Sequence, residues 1–206
     1  MTPALLLSSG GLDSTTLAYW LRERGVVVAP VFFDYGQHCA EKEWATLQAV
    51  LPKDGVLPPE RIDLSGIFHG STSRLISEPD LWTEPVSDDD LYVPYRTLFF
   101  MAAGASRAQT RGMTEVFSGF INSNHAKEID CSAVFLNSLD ALAKDVGPVR
   151  LQIPFRHWSK NQVVREARRL QVPIGLTFSC QVFSDTPCGA CPNCVERIEA
   201  LHDQIG

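Results

Sequence analysis

An apolar run from Pro3 to Ser8 breaks at once into Ser8-Ser9-Gly10-Gly11-Leu12-Asp13-Ser14. From Asp13 to Arg24 the apolar residues Leu17, Trp20 and Leu21 then recur between charges. Strand, glycine turn and amphipathic helix is the order these periods predict. It constrains the fold because a strand that feeds a helix through so short a turn needs a parallel neighbour to return to. The pattern repeats. Val26 to Phe33 is a second apolar run, ending at Asp34-Tyr35-Gly36-Gln37, and Glu41 to Leu51 has helical spacing. Arg61–Leu64, Glu115–Ser118 and Val149–Ile153 read as further strands. Leu98–Arg111, Ser132–Lys144 and Ser159–Leu170 read as helices, the last with Ser159 as its N-cap. Such alternation predicts an α/β fold, a Rossmann-like doubly wound parallel sheet with helices on both faces.

Between these elements, residues 66–91 are rich in Ser, Asp and Pro with weak periodicity, so a substrate-covering lid and partial disorder both stay open. The final helix, about Asn193 to Ile205, carries Val195, Ile198, Leu201 and Ile205 on one stripe, which predicts docking on the core through that stripe. With 206 residues, 45% of them hydrophobic, the chain can bury a sizeable core. The longest apolar stretch, Val26 to Phe33, is eight residues, far below the ~20 a spanning helix needs. Ala4–Leu7 is too brief for a signal-peptide core. A soluble, cytoplasmic protein without membrane contact is the expectation. The net charge of −6, with no block of five like charges, argues against direct nucleic-acid binding and favours a small-molecule substrate.

The turn after the first strand suits an anion. Gly10 and Gly11 tolerate φ > 0 and bring no side chain into the approach of a phosphate. Turn amides, the hydroxyls of Ser8, Ser9 and Ser14, and the positive end of the following helix converge there. Neither Gly-x4-Gly-Lys-Ser/Thr nor Gly-x-Gly-x2-Gly occurs, so the common kinase-type and dinucleotide loops are excluded as templates.

At the other end, Cys180, Cys188, Cys191 and Cys194 are spaced C-x7-C-x2-C-x2-C. Four thiolates fill the tetrahedron of a zinc ion and leave no open position, the pattern of a structural site. Thiolates alone do not separate zinc from an iron–sulfur cluster. Clustering at metal-ligand spacing also argues against a secreted disulfide framework. Cys39 and Cys131 lie outside the cluster and read as semi-buried residues rather than nucleophiles. The organisation expected is a nucleotide-binding α/β domain over residues 1–178, with a zinc-binding element over 179–206 packed on it.

Ser-Gly-Gly-x-Asp-Ser resembles the signature of the PP-loop (HUP-type) ATP pyrophosphatases. That likeness implies cleavage of ATP between its α and β phosphates to adenylate a substrate oxygen. Across the whole chain the sequence is similar to the 7-cyano-7-deazaguanine synthase (QueC) family. The matching segments are Ser9–Ser14, Asp34-Tyr35-Gly36-Gln37, Val93-Pro94-Tyr95-Arg96, Asp130-Cys131, Trp158-Ser159-Lys160 and Leu176–Cys180. The resemblance implies an ATP-dependent carbon–nitrogen ligase that turns 7-carboxy-7-deazaguanine and ammonia into an amide and then a nitrile, often as a homodimer.

The same resemblance carries ATP binding, with Mg²⁺, onto Ser8, Ser9, Gly10, Gly11, Leu12, Asp13, Ser14, Phe33 and Gln37. It carries substrate binding onto Tyr35, Arg96, Asn122 and Asp130, and catalysis onto Asp13, Lys160 and Arg96. Asp13 would hold magnesium, Lys160 and Arg96 would offset phosphate charge, and Asp130 would accept the ring N–H and amino donors of the deazaguanine. Blander roles stand beside these. Lys160 and Arg96 are equally read as solvated charges, Asp130 as a cap of the helix near Ser132, and Gln37 as a clamp of its own turn.

The chain departs from the family pattern at Thr97, at Phe120 and Ile121 beside Asn122 and Asn124, and at Ser132. Those departures motivate a variant in which a protein or peptide amine replaces ammonia. Two other readings are a tRNA thiolase and a nucleotide-sensing scaffold without catalysis.

Overall fold

The computed structural model describes residues 2–79, 87, 89–121, 132–182 and 185–203. Strand β1 (Ala4–Leu7) feeds helix α1 (Leu12–Glu23), β2 (Val28–Asp34) feeds α2 (Ala40–Val50), and β3 (Glu60–Asp63) runs into the single turn α3 (Ser65–Phe68). Then come α4 (Arg96–Thr110), β4 (Glu115–Phe117), α5 (Ala133–Val146), β5 (Arg150–Gln152), α6 (Lys160–Arg169) and α7 (Pro192–His202). The strands form one sheet in the order β3-β2-β1-β4-β5, with every pair parallel. The expected doubly wound sheet is therefore present, with strand and helix edges within a few residues of those read from the periodicity.

Alternation along the strands sorts side chains onto two faces. Leu6, Val28 and Phe117 point to the side where Leu17, Ala18 and Leu21 of α1 and Val163, Val164 and Ala167 of α6 pack. Leu5, Leu7, Val31, Phe33 and Val116 point to the other, against Met101 and Ala108 of α4 and Leu139 of α5. Strands buried on both faces read as near-continuous apolar runs, which is why Val26–Phe33 lacks a polar alternation.

The helix starts are locally encoded. Ser159 caps α6 with a full capping box, its hydroxyl accepting from the Gln162 amide while Gln162 accepts from the Ser159 amide at 2.8 Å. Ser132, not Asp130, caps α5, its hydroxyl accepting from the Phe135 N–H at 3.1 Å. Asp130 itself lies outside the described residues. Within the 66–91 segment, Phe68, Leu75 and Leu91 bury against Tyr35 and Val93. The described part of that segment is thus packed onto the end of β2.

One expectation needs correcting. The face of α7 turned to the protein carries Cys194 and Ala200 with Arg197, while Ile198 of the anticipated apolar stripe is exposed. Leu201 of the same stripe packs against the core formed by α1 and α6, so the helix does dock on the core, through part of that stripe. Ile205 lies outside the described residues. No helix among the described residues is long and apolar enough to cross a membrane.

Candidate active site and metal centre

In a 3-2-1-4-5 sheet the connections from β1 and β4 leave to opposite faces, which opens a crevice at the carboxyl ends of those two strands. A cleft of about 280 Å³ lies there. Its floor is the turn after β1, and one wall is Ser118, Gly119 and Phe120 after β4. The other wall carries Phe33 and Tyr35 from the end of β2.

The turn is held from below. Gly10 sits at φ +74°, and Ser14 Oγ accepts from the Ser9 amide at 3.3 Å and donates to the Gly11 carbonyl at 3.4 Å. Gly11 is the N-cap of α1 and supplies no capping side chain, so the first amides of that helix keep their capacity for an anion. The Phe178 N–H donates to the Gly10 carbonyl at 3.2 Å and ties the turn to the segment leading into the thiol cluster.

Lys160 enters from the first residue of α6. Its Nζ lies 2.7 Å from Asp13 Oδ2 and 3.5 Å from Glu196 Oε2 of α7. Burial by itself would depress the lysine, but the two carboxylates outweigh it and hold the ammonium above its ordinary range. The solvated-charge reading of Lys160 is thereby replaced, since its side chain is only 11% exposed. Asp13 Oδ1 is buried with no hydrogen-bond partner among the described residues. An anionic oxygen left so, beside an anion loop, matches the chemistry of a hard cation such as Mg²⁺.

On the β2 wall, Arg96 at the start of α4 donates through Nη1 to Tyr35 Oη at 3.2 Å, with its guanidinium 5.4 Å from the ring centroid. Burial pushes the Tyr35 phenol up to about 12. Gln37 is fully engaged: Oε1 accepts from the Tyr35 amide at 2.8 Å, while Nε2 donates to the Phe33 carbonyl at 3.3 Å and to Glu43 Oε2 at 2.9 Å. It clamps its own turn and presents Glu43 to the cleft. Glu43 keeps some surface through the cleft mouth, yet protein surrounds its carboxyl, and burial raises it to about 7 despite the Gln37 hydrogen bond and Arg96.

Of the residues picked from sequence, Ser8, Ser9, Gly11, Leu12, Asp13, Ser14, Phe33, Tyr35, Gln37, Arg96 and Lys160 all line this cleft, with Gly10 at the crest of the turn. Asn122, Asn124, Asp130 and Cys131 lie outside the described residues. At the family-pattern departures, Thr97 is buried in the first turn of α4, Phe120 lines the cleft and Ile121 is in the core. Sequence reading missed Glu43, Glu196, Phe100 and Ser179. An acid in the first turn of the helix after Tyr35-Gly36-Gln37 was a usable signal for Glu43. Glu196 had none, because its partner is distant in sequence.

The sulfurs of Cys180, Cys188, Cys191 and Cys194 all lie within 4.8 Å of one another, with Cys188 and Cys194 3.9 Å apart. Four thiolates ~2.3 Å from zinc stand ~3.8 Å from each other, so the set fits a tetrahedral ion. The amides of Ala190 and Cys191 both donate to Cys188 Sγ, at 3.4 and 3.2 Å, orienting a ligand as metal knuckles do. Cys39 packs beside this cluster, with His38 Nδ1 3.3 Å from its sulfur and His38 Nε2 3.1 Å from the Gln181 carbonyl. Burial pushes the Cys39 thiol up, which disfavours a reactive thiolate. Arg197 links the knuckle to the cleft, donating to Thr177 Oγ1 and the Ile174 carbonyl at 2.7 Å and to Ser179 Oγ at 3.2 Å.

Sheet order, turn and four-cysteine cluster together define a PP-loop ATPase-like α/β protein. A crystal structure of a 4-thiouridine synthetase–RNA complex with bound ATP superposes at a TM-score of 0.54 and 19% identity, covering 98% of this chain and 50% of that one. The predicted subunit of tRNA methyltransferase from Methanocaldococcus jannaschii gives 0.52 at 14% identity, over 82% of this chain and 74% of that one. At such identities the likeness concerns the fold alone, and this chain spans half of the first neighbour.

The chain belongs to the QueC family, queuosine biosynthesis protein QueC, whose family model matches residues 3–205. Relatives include the 7-cyano-7-deazaguanine synthase of Campylobacter hominis, 29% identical over 96% of this chain and 94% of its own length. The 7-cyano-7-deazaguanine synthase of Synechococcus sp. strain CC9902 is 34% identical over 97% and 92%. That of Picrophilus torridus is 30% identical over 98% and 87%. An ATP-using enzyme is the activity consistent with family and fold together.

Proposed function

We propose that this protein is a 7-cyano-7-deazaguanine synthase: it adenylates 7-carboxy-7-deazaguanine with ATP, admits ammonia to give the amide, and activates the amide again to reach the nitrile. The observation that carries this reading is the Asp13–Lys160 pair at the rim of an uncapped helix start, inside a chain related over its whole length to synthases of that name.

In the first step a substrate carboxylate oxygen attacks the α phosphorus and pyrophosphate leaves. The turn amides and the hydroxyls of Ser9 and Ser14 hold the departing phosphates, Lys160 offsets charge on the α phosphate, and Asp13 Oδ1 would hold the magnesium ion that accompanies ATP. Phe33 lines the β2 wall of the cleft, where the adenine would lie. Arg96 steadies the carboxylate through a bidentate fork, and Tyr35 fixes that arginine. Ammonia then attacks the carbonyl carbon, a C–N bond forms and AMP leaves. In the second round the amide oxygen is adenylated, and loss of AMP with a proton gives the nitrile. A zinc ion held by Cys180, Cys188, Cys191 and Cys194 would supply fold stability and no step of the chemistry.

Mass spectrometry of the product from 7-carboxy-7-deazaguanine, ATP and ammonium tests this directly. A nitrile is expected. An amide that accumulates unconverted would confine the activity to the first half, and recovery of unchanged acid with no AMP released would refute the reading.

A further inference from the structure

An adenylated carboxyl group needs a nitrogen nucleophile that can shed a proton. When ammonia attacks the carbonyl carbon its nitrogen becomes cationic, and the adduct reverts unless a base takes one N–H. The cleft offers few candidates. Lys160 and Arg96 are cations, Asp13 Oδ2 is committed to Lys160, and the Tyr35 phenol, held at about 12, keeps its proton at neutral pH. Glu43 is different.

Its main chain lies directly beneath the phosphate turn, where a methyl group on Gly10 would come within 2.9 Å of the Glu43 carbonyl oxygen. Its side chain lines the cleft together with Arg96 and Phe100. Oε2 is fixed by the 2.9 Å bond from Gln37, itself pinned to Phe33 and Tyr35, while no hydrogen bond engages Oε1 among the described residues. The carboxylate therefore stands between the anion loop and the arginine wall, with one oxygen oriented and one open. The charged and titratable groups around it are Arg96 from α4, Asp34 and Tyr35 at the end of β2, and Cys39 at the start of its own helix.

The geometry points to Glu43 as the general base that takes the proton from the incoming nitrogen. This inference rests on the adenylation reading above. As the C–N bond forms, one N–H proton passes to Glu43 Oε1, the carbon–oxygen bond to the phosphate breaks, and AMP departs with its electron pair. The proton then leaves to solvent through the cleft mouth. A carboxyl raised to about 7 is a stronger base than an exposed one and is still half ionised near neutrality, the compromise that proton transfer favours.

The isosteric substitution Glu43→Gln in the full chain provides the test, with two nucleophiles and one half-reaction. Acid-dependent exchange of pyrophosphate into ATP reports adenylation and needs no amine. Ammonia-supported amide formation by the variant should fall ~100-fold or more. Formation of the hydroxamate should fall far less, because the hydroxylamine adduct is acidic enough to lose its proton to water. The acid limb near pH 7 in the ammonia profile of the unaltered protein should vanish in the variant, and Glu43→Asp should recover part of the rate.

An equal loss with both nucleophiles, an exchange reaction lost in parallel, or an unchanged ammonia rate would each overturn the assignment. Absence of exchange in the unaltered protein would strike the adenylation reading itself, and the base would fall with it.

Discussion

Gly10→Ala is the substitution whose cost follows most directly from the geometry of the phosphate turn. Gly10 sits at φ +74°, a region that costs an L-residue ~1–2 kcal/mol. The added methyl carbon would lie 2.7 Å from the Leu47 amide nitrogen and 2.9 Å from the Glu43 carbonyl oxygen. Both are main-chain atoms of α2 and cannot rotate aside, so the turn or the helix must shift, at a further ~1–3 kcal/mol for an overpacked contact. The combined loss is ~2–5 kcal/mol.

Gly11→Ala is the internal control. Gly11 is extended, at φ −72° and ψ 166°, and the nearest neighbour of its methyl would be the movable Ser9 hydroxyl at 3.2 Å. A Gly→Ala change in a permitted conformation shifts stability by only ~0.4–1 kcal/mol, in the favourable direction. Urea denaturation of both variants, compared at constant m, measures the difference, and ATP titration of each shows whether the displaced turn still accepts the nucleotide. If the two substitutions cost the same within ~0.5 kcal/mol, the close approach of α2 to the turn is not what fixes it.

Lys160→Met leaves Asp13 and Glu196 facing each other without their cation and should cost ~3–5 kcal/mol by denaturation. Adding Glu196→Gln to that variant should return part of the loss, and strict additivity of the two changes would disprove the coupling. Stripping the metal from the cysteine cluster should lower the melting temperature and weaken ATP binding together, since Arg197 and Phe178 connect the knuckle to the turn. Both should recover on adding zinc, which calorimetry and nucleotide titration can follow. Glu43 has a folded-state value of about 7 against an ordinary 4.5, so between those values the unfolded chain releases a proton that the folded chain retains. Stability contributed by this group therefore falls as pH rises through that window, by at most ~3 kcal/mol. Glu43→Gln should flatten this slope in a pH series of unfolding curves.

How far the site could be read in advance differed by residue. The serine-glycine turn and the capping box of Ser159 are legible because each is a few contiguous residues whose chemistry is self-contained. Gln37 and Glu43 are harder. Sequence offered Gln37 both as an ATP contact and as a clamp of its own turn; its amide is engaged by Phe33, Tyr35 and Glu43 while the residue lines the cleft, and Glu43 behind it lines the cleft as well. Apolar spacing on α7 placed Ile198 on the buried stripe, whereas Ile198 is exposed and Cys194, Ala200 and the partly buried Leu201 face the protein. A short apolar stripe does not fix which of its members are buried, because an isoleucine can sit at the surface at little cost.

Sequence alone determined the alternation of strands and helices, the serine-glycine turn between the first strand and helix, and the four-cysteine cluster. These depend on periods and spacings that span no more than a few turns of chain. Tertiary structure decided the strand order β3-β2-β1-β4-β5, the crevice it opens, and the meeting of Asp13 with Lys160 across 147 residues. Those are fixed by how two apolar faces of one sheet are covered, a condition on the whole molecule that no local window contains.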